Sequence, residues 1–304
     1  MLGSASNPCN SGSGPFLPSL SIIVAAYNVQ DTIESCLQSI LALEYPPTKV
    51  EVIVVDNAST DQTAAILSRY SRRLKILRET TRGPAAARNR GLFQAEGEVI
   101  AFTDADCIVD ARWARGLVVP LQDARVGIVG GKILAKAPCN RIEEFGNEIH
   151  DHQKAIEVYQ PPYVSTGNWA SRLSVLQEGR FFDERFLRSQ DVDLSYRILQ
   201  AGYSFCYVPE ALVFHQNEST FAGLFHEGCV HGYYSVPVLK KHRQFLKQYK
   251  HRRVNLNDFF ALGREMVDCA FGKDRQRAMC NVSFNGGKRI GKICGSLRFG
   301  TLEL

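Results

Sequence analysis

The sequence contains no apolar run near the roughly 18–20 residues that a membrane-spanning helix needs. Its nine cysteines form no CxxC pair and have no histidine at zinc-binding spacing, which disfavours a disulfide framework or a zinc site. The N-terminal residues are rich in serine, glycine, asparagine and proline, without the charged start and apolar centre of a signal peptide. We therefore expect a flexible arm over 1–18 and a reducing, cytoplasmic environment.

Two glycine-rich phosphate-binding motifs are also missing. No GxxxxGK[ST] sequence occurs, which argues against a P-loop. The segment that ends the first apolar run, Ala25-Ala26-Tyr27-Asn28, has no glycine, although a dinucleotide turn needs glycine for close approach to pyrophosphate. The sequence therefore disfavours a nicotinamide-dependent enzyme.

Evenly spaced apolar runs alternate with helical patterns in the first hundred residues. Strand and helix recur about every 25 residues, which is typical of βαβ units and a parallel sheet. We therefore predict an α/β fold with a mostly parallel sheet flanked by helices. The runs are Leu20–Ala26, Val50–Val55, Leu74–Leu77 and Val99–Phe102.

The rest of the chain is predicted to mix strands and helices before it becomes helical. From about residue 220 onward the pattern is helical, interrupted by Pro237, and we expect a helical C-terminal appendage. The predicted segments before it are a strand at 126–134, a polar helix at 141–158, a strand-like piece at 165–169, a helix around 191–199 and short strands at 205–208 and 211–214.

The net charge of +5 is divided unevenly along the chain. Residues 240–304 carry 15 Lys and Arg against 5 Asp and Glu, whereas residues 1–239 carry 21 against 26. A basic region that also contains apolar residues is typical of an amphipathic surface on anionic lipid. A helical appendage packed on the main domain or on a second subunit fits equally well. Nucleic acid is a less favoured partner, because no binding motif accompanies the charge. The apolar residues are Leu239, Phe245, Phe259, Phe260, Ile290, Ile293 and Leu297.

Asp104-Ala105-Asp106 follows the fourth apolar run and is the most informative motif. Ligands bind at the carboxyl ends of the strands in open α/β sheets. Two carboxylates there suit Mg²⁺ or Mn²⁺ that takes further ligands from a substrate phosphate. The motif therefore predicts chemistry on a diphosphate compound, with a solvated turn as the alternative.

Other polar residues are predicted to reach the same edge. Asp56 ends the second strand, where it could also cap the following turn. Arg88, on a helix, could bind phosphate or stack on a base, or could lie on a solvated helix face. Asp191 lies at a helix start, where the helix dipole favours a carboxylate. His215 follows a short strand, as a metal ligand or as a structural histidine.

Six segments resemble, in order and spacing, the motifs of the inverting family 2 glycosyltransferases, which have the GT-A fold. The resemblance covers roughly residues 19–235, and its specificity comes from the agreement of all six motifs. The segments are Leu20–Asn28 (LSIIVAAYN), Val52–Asp61 (VIVVDNASTD), Gly83–Gly91 (GPAAARNRG), Thr103–Asp106 (TDAD), Thr166–Trp169 (TGNW) and Phe182–Gly202 (FDERFLRSQDVDLSYRILQAG).

The resemblance implies a role for each motif. Asp191 corresponds to the general base of the family. Gln190 replaces the family's glutamate and removes a charge beside the base, which puts in doubt any role of position 190 in tuning the base. Trp169 and Gln190 are expected to contact the acceptor, although Trp169 fits the core equally well. We expect Asp193 to be structural. The implied metal ligands are Asp104, Asp106 and His215, and the implied donor-binding residues are Ala26, Tyr27, Asn28, Asp56, Arg88, Asp104 and Ala105.

These expectations define a hexosyltransferase-like, inverting enzyme. A nucleotide-sugar, with a UDP-sugar preferred, would serve as donor and Mn²⁺ or Mg²⁺ as cofactor. The acceptor would be a saccharide or a lipid-linked group in envelope, glycolipid or polysaccharide synthesis, at the cytoplasmic face of a membrane. No QxxRW signature of processive synthases occurs, which favours single addition. The predicted division is 19–235 for the GT-A domain, with halves at 19–106 and 107–235, and 236–304 for the basic helical region.

Three other functions are alternatives to this one. A nucleotidyltransferase would have a basic, glycine-rich loop after the first strand, which is not there. A glycoside hydrolase also uses two carboxylates, but it needs no nucleotide. A non-catalytic sugar-nucleotide-binding or scaffold protein is the leading rival, and the presence of Asp104, Asp106 and Asp191 argues against it.

Overall fold

A computed structural model describes residues 17–249 and 256–301, with the side chains of 256–262 outside the description. The strands are β1 Leu20–Ala26, β2 Val50–Asp56, β3 Lys75–Arg78, β4 Val99–Asp104, β5 Cys107–Val109, β6 Val126–Ala135, β7 Asn168–Arg172 and β8 Ser204–His215. The helices are α1 Ile33–Leu41, α2 Thr63–Ser68, α3 Pro84–Leu92, α4 Trp113–Val118, α5 Arg141–Ile149, α6 His152–Glu157, α7 Leu173–Glu178, α8 Gln190–Gln200, α9 Phe221–Lys241, α10 Arg243–Lys247, α11 Leu256–Phe271 and α12 Arg275–Phe299.

The strands of the described chain form one mixed sheet in the order β3-β2-β1-β4-β7-β6-β8-β5. Strands β1 to β4 pair in parallel, as the βα alternation predicts. β7 enters antiparallel between β4 and β6, while β8 runs parallel to β6 and antiparallel to β5. The predicted α/β architecture is confirmed, and every antiparallel pair of the described sheet involves β7 or β8, which lie in the second half of the chain.

Helices cover both faces of the sheet, because the central strands are apolar on both sides. Ile22 and Val24 of β1 belong to a core cluster with Ile33 and Leu37 of α1. Ile23, between them in sequence, belongs to the cluster on the other face. Successive side chains of a strand point to opposite faces, so an uninterrupted apolar run is what a doubly covered strand requires.

The parallel register brings three predicted site segments to one edge of the sheet. Ala26 at the end of β1 is paired with Asp56 of β2, and Ala25 is paired with Asp104 of β4. The turn at Ala105 and Asp106 follows directly and leads into β5. Residues far apart in sequence are therefore neighbours at the carboxyl end of the sheet.

Two predicted segments differ from the structure. The polar helix expected over 141–158 is divided into α5 and α6, because Asp151 caps a new helix by accepting a hydrogen bond from the Lys154 N–H. The two short strands ending at His215 are one strand, β8. Its register with β6 shifts between Gly131 and Lys132, so the strand continues through an irregularity rather than ending.

Pro237 does not interrupt the C-terminal helical region as predicted, because α9 continues through it. α12 packs along α9 in parallel through a seam of glycines, and an added Cβ at Gly232 or Gly291 would overlap the carbonyl of the facing helix. This close packing stabilises the helix around the proline. α9 therefore runs through the predicted boundary between residues 235 and 236. Among the described helices, none is both long and apolar enough to cross a bilayer.

Candidate active site

The turn after β4 places Asp106 beside His215. β5 pairs antiparallel with the end of β8, and the His215 Nε2 lies 3.6 Å from an Asp106 carboxylate oxygen. The His215 Nδ1 lies 2.7 Å from the Asn217 Oδ1, and the Asn217 amide nitrogen donates to the Glu143 carbonyl. Asn217 is thereby oriented to accept from Nδ1, which leaves Nε2 as the lone-pair nitrogen facing Asp106. This arrangement is common for a metal-binding histidine.

The same corner has a donor set that fits a divalent cation. One ligand atom each from Asp106, Cys107 and His215 lies within 4.8 Å of the other two. Burial raises the pKa of Asp106, and the negative charge of Asp104 adds to this increase. A bound cation would relieve both unfavourable effects. Asp106 and His215 thus meet as the sequence predicts, and Cys107 is a member that the sequence analysis did not identify.

Asp104 is not part of that cluster, because it is paired with an arginine. An Asp104 carboxylate oxygen lies 2.7 Å from the Arg88 Nη2. Arg88 is buried, so it does not lie on a solvated helix face. Its other terminal nitrogen, Nη1, finds no acceptor among the described residues, although leaving a buried donor unpaired is costly. The site therefore holds a guanidinium that is ready to bind a further anionic oxygen.

The start of α3 sets the position of Arg88. Gly83 has a φ of 136°, which favours glycine, and Pro84 occupies the first helical turn. The Asn57 side chain accepts a hydrogen bond from the Gly83 N–H and donates to the Thr81 carbonyl. Asn57 is thus a positioning residue that sequence reasoning missed, although it follows Asp56 directly in the motif.

Asp191 lies in the first turn of α8, facing Arg88. Burial raises the pKa of Asp191, and the Arg88 charge and the Val192 N–H, 2.9 Å away, offset part of this increase. The neighbouring Gln190 is buried, and its Oε1 has no partner among the described residues. A half-buried carboxylate with a raised pKa at this position is suited to accepting a proton.

Asp193, two residues further on, has a structural environment. It is fully buried and lies within 2.8 Å of side-chain nitrogens of Arg197, Lys241 and His242. Burial alone would raise the pKa of Asp193, but the His242 hydrogen bond and the Arg197 and Lys241 charges lower it overall. The helix that carries Asp191 is thereby tied to the end of α9.

The donor-side residues lie around the ends of β1 and β2. Tyr27 is exposed, and the Arg82 guanidinium lies over its ring, 5.0 Å from the centroid. Asp56 accepts a hydrogen bond from the Ser59 N–H, which is the turn-capping role that the sequence left open. The Asn28 side chain accepts from the Thr60 N–H. Arg82 was missed because no motif marks it. Ala26 and Ala105 are both buried.

The predicted acceptor contact of Trp169 is corrected by its position. Its ring is fully buried and makes edge contacts with Phe102 and Phe182 in the core. The neighbouring Asn168 accepts from the Trp113 indole N–H and donates to carbonyl oxygens of the sheet, including that of Lys132. The TGNW motif therefore contributes to the core of the sheet.

A second polar cluster, which the sequence analysis did not predict, lies beside His215. One Glu227 carboxylate oxygen is 3.8 Å from the His150 Nε2 and 3.7 Å from the His231 Nε2. The His150 ring lies 4.8 Å from that of His215. Burial raises the pKa of Glu227 to about 7 and lowers that of His231 to about 4. Only the spacing of Glu227 and His231, one helical turn apart on α9, could have indicated the pair.

Comparisons with known proteins identify the family of the chain. The sequence model described as Glycosyl transferase family 2 matches residues 21–192, more than half of the chain. The glycosyltransferase AglE of Haloferax volcanii is 31% identical over 208 residues, which is 66% of this chain and 67% of AglE. The matched part is 67% of the length of AglE and 16% of the length of the poly(ribitol-phosphate) β-N-acetylglucosaminyltransferase TarS of Staphylococcus aureus.

Solved structures share the fold. The mannosyltransferase PcManGT from Pyrobaculum calidifontis, in complex with GDP-Man and Mn²⁺, superposes with a TM-score of 0.63 at 21% identity, covering 98% of this chain and 79% of that one. Staphylococcus aureus TarS 1–349, in complex with UDP-GlcNAc, gives a TM-score of 0.53 at 19% identity, covering 94% and 93%. The mostly parallel sheet flanked by helices is thus the GT-A fold.

Proposed function

The chain belongs to glycosyl transferase family 2 and is a glycosyltransferase, and from this premise we propose that it is metal-dependent and inverting. The donor is a nucleotide-diphospho-sugar and the acceptor group a hydroxyl. The observation that carries the proposal is the position of Arg88, which is paired with Asp104 and also acts electrostatically on Asp191. Arg88, which we assign to the donor phosphate, and Asp191, which we assign to the acceptor proton, are therefore close to each other at one edge of the sheet.

The residues divide the reaction between them. Asp191 accepts the proton of the acceptor hydroxyl while the hydroxyl oxygen bonds to the anomeric carbon. The bond from that carbon to the diphosphate oxygen breaks with its electron pair, and a single displacement inverts the carbon. Arg88 orients the diphosphate through its unpaired Nη1, and Tyr27 with Arg82 forms a wall for the base.

Asp106 and His215 would hold the divalent cation, either Mn²⁺ or Mg²⁺, and Asp104 would stay with Arg88. Such a cation supplies Lewis-acid stabilisation of the departing diphosphate. The Mn²⁺ and GDP-Man in the PcManGT complex and the UDP-GlcNAc in the TarS complex support this assignment of cofactor and donor class. We propose a UDP-sugar as donor, and GDP-sugars are the alternative to be tested beside it.

A panel of nucleotide-sugars tests the proposal. Thermal stabilisation and release of nucleoside diphosphate are measured for each donor with Mn²⁺, with Mg²⁺ and with excess chelator. We expect one donor to give metal-dependent stabilisation and turnover. For that donor, proton NMR of a glycoside formed with a simple alcohol should show the anomeric configuration opposite to the donor. Undiminished turnover in chelator would contradict the metal assignment, and retained configuration would contradict the single displacement.

The C-terminal helices support a place at a membrane surface. On α12, Ile290, Ile293 and Leu297 recur on one face and are 47%, 49% and 81% exposed. The glycine seam packs another face of α12 against α9, so this apolar stripe remains open in the described structure. Phe271 at the end of α11 is 87% exposed. Because this stripe lies in the region with the +10 charge balance, we propose that it docks on an anionic bilayer. Such a location favours a lipid-linked or envelope acceptor.

Vesicle flotation tests this location. The protein should float with phosphatidylglycerol-containing vesicles, less so at high salt, and not with neutral vesicles. A triple Ile290→Ser, Ile293→Ser, Leu297→Ser variant keeps the charge and should stay in solution. Phe93→Ser, which removes an exposed aromatic from the main domain, is the matched control and should float. A dimer that covers the stripe, or equal behaviour of the triple variant, would contradict membrane docking.

A further inference from the structure

Cys107 lies directly across the sheet from His215. The two residues are register partners in the antiparallel pair of β5 and β8. Side chains of directly opposite residues project to the same face of a sheet. Cys107 also follows Asp106, whose carboxylate lies against His215. The strand pairing, and not a sequence motif, therefore brings a thiol, a carboxylate and an imidazole together.

The separations of these groups suit a shared metal ion. The Cys107 Sγ lies 3.7 Å from one Asp106 carboxylate oxygen, and the His215 Nε2 lies 3.6 Å from the other. With metal–sulfur bonds of about 2.3 Å and metal–nitrogen or –oxygen bonds of about 2.0 Å, the ligand atoms of a tetrahedral site lie about 3.5 Å apart. The three ligand atoms lie within 4.8 Å of one another, so side-chain rotations would bring the widest-spaced pair closer together to bind an ion.

The residues around Cys107 and His215 also favour metal binding at this site. Asn217 orients His215 with Nε2 facing Asp106, as described above. Cys107 is fully buried, so its sulfur is shielded from solvent. The Cys107 thiol donates its proton in a weak hydrogen bond to an Asp106 carboxylate oxygen. A bound divalent cation displaces such a proton and stabilises the thiolate.

We infer that Cys107 is a protein ligand of the metal centre, so that the site Asp106–Cys107–His215 binds Zn²⁺ and Co²⁺ more tightly than Mn²⁺ or Mg²⁺. A set of one sulfur, one nitrogen and one oxygen ligand is borderline-soft, whereas Mg²⁺ and Mn²⁺ prefer oxygen. The inference deepens the proposed function, since it concerns the centre assigned there to Asp106 and His215. A remaining coordination position would be available to water or to a donor phosphate oxygen.

Cobalt absorption tests the ligand directly. The full chain is used with Cys139→Ser and Cys294→Ser, which remove two exposed thiols far from the site in sequence. Addition of Co²⁺ should produce a near-ultraviolet thiolate-to-cobalt charge-transfer band, and stoichiometric Zn²⁺ should remove it. A further Cys107→Ser change should abolish the band and weaken Zn²⁺ binding at least about tenfold, with little change in Mn²⁺ binding. Cys206→Ser, also a buried cysteine of the sheet, is the matched control and should keep the band.

A second measurement does not depend on the folding of a variant. X-ray absorption of the zinc-loaded protein in the same background should give one sulfur neighbour at about 2.3 Å. Cobalt or zinc bound without a sulfur ligand would overturn the inference and leave metal-dependent sugar transfer intact. Failure of the nucleotide-sugar panel together with a cobalt–thiolate band would instead contradict the proposed function and leave the metal site.

Discussion

Arg88 and Asp104 form a 2.7 Å ion pair at the carboxyl edge of the sheet, and their side chains are 6% and 35% exposed. Of the two terminal Arg88 nitrogens, the Asp104 carboxylate contacts only Nη2. The other terminal nitrogen, Nη1, has no acceptor in the described chain. An arginine in this state is preorganised to receive a phosphate oxygen, since its fork can bind two anions at once. We therefore expect Arg88 to take part in donor recognition at the buried end of the site.

Arg88→Lys should weaken binding of the nucleotide-sugar donor. Lysine keeps the charge but cannot hold Asp104 and an anion in the geometry of a fork. A lost charge-assisted hydrogen bond corresponds to about 1.5–3 kcal/mol, or roughly 10- to 150-fold in affinity. Calorimetric titration with the donor measures the effect, and Arg90→Lys on the exposed side of the same helix is the control. Wild-type affinity in Arg88→Lys would exclude a phosphate contact.

Asp106→Asn should abolish metal-dependent turnover and leave the fold intact. The amide keeps the shape of the side chain but removes the charge that faces His215. Turnover against metal concentration is compared with Asp268→Asn, which changes an exposed aspartate on α11 and should behave as wild type. Full activity in Asp106→Asn would refute the assignment of the cation to this corner.

Asp193→Asn should destabilise the protein by about 3–5 kcal/mol, the usual cost of breaking a buried ion pair. The substitution removes the buried carboxylate that pairs with Arg197 and accepts a hydrogen bond from the His242 ring. The folded-state pKa of Asp193 is lowered, so its contribution is present above the ordinary aspartate pKa of 3.8 and disappears as the pH falls through the lower folded value. Urea unfolding at a series of pH values should show the two proteins converging in acid. A constant difference would indicate a packing effect instead.

Gly291→Ala should destabilise α12, because the new methyl group would overlap the Cys229 carbonyl of α9. Overpacking of this kind costs about 1–3 kcal/mol. Gly286→Ala on the same helix is the matched control, since no atom lies within 4 Å of its added Cβ. Alanine should stabilise that position by up to about 1 kcal/mol. Thermal unfolding of both variants measures the effect. Equal changes in the unfolding temperature would contradict close packing of α12 on α9 at Gly291.

The fold was largely predictable, because it depends on local patterns. The bounds predicted for β1 are those observed, since a strand buried on both faces must be apolar throughout. Pro237 misled the prediction because tertiary packing by α12 outweighs the local cost of a proline. The division between α5 and α6 depends on one capping residue, Asp151, within a polar segment.

The candidate site was predictable only in part. The parallel sheet carries Asp56 and Asp104 to one edge, and a sequence pattern is enough to predict this. The sequence left two environments possible for Trp169, the acceptor pocket and the hydrophobic core. Nothing in the sequence indicates which face of its strand meets the core. Cys107 could not be found from spacing, since its partner His215 is more than a hundred residues away and meets it only through strand pairing.

The central claim is that Asp191 is the base of sugar transfer, and kinetics of Asp191→Asn at saturating donor test it most directly. We expect turnover to fall by roughly 10²–10⁴-fold with donor binding retained, against Asp268→Asn as control. Because the pKa of Asp191 is raised, wild-type activity should fall with decreasing pH above the range of an ordinary aspartate, and the variant should lose this dependence. Retained turnover with lost donor binding would contradict the account and make Asp191 a binding residue.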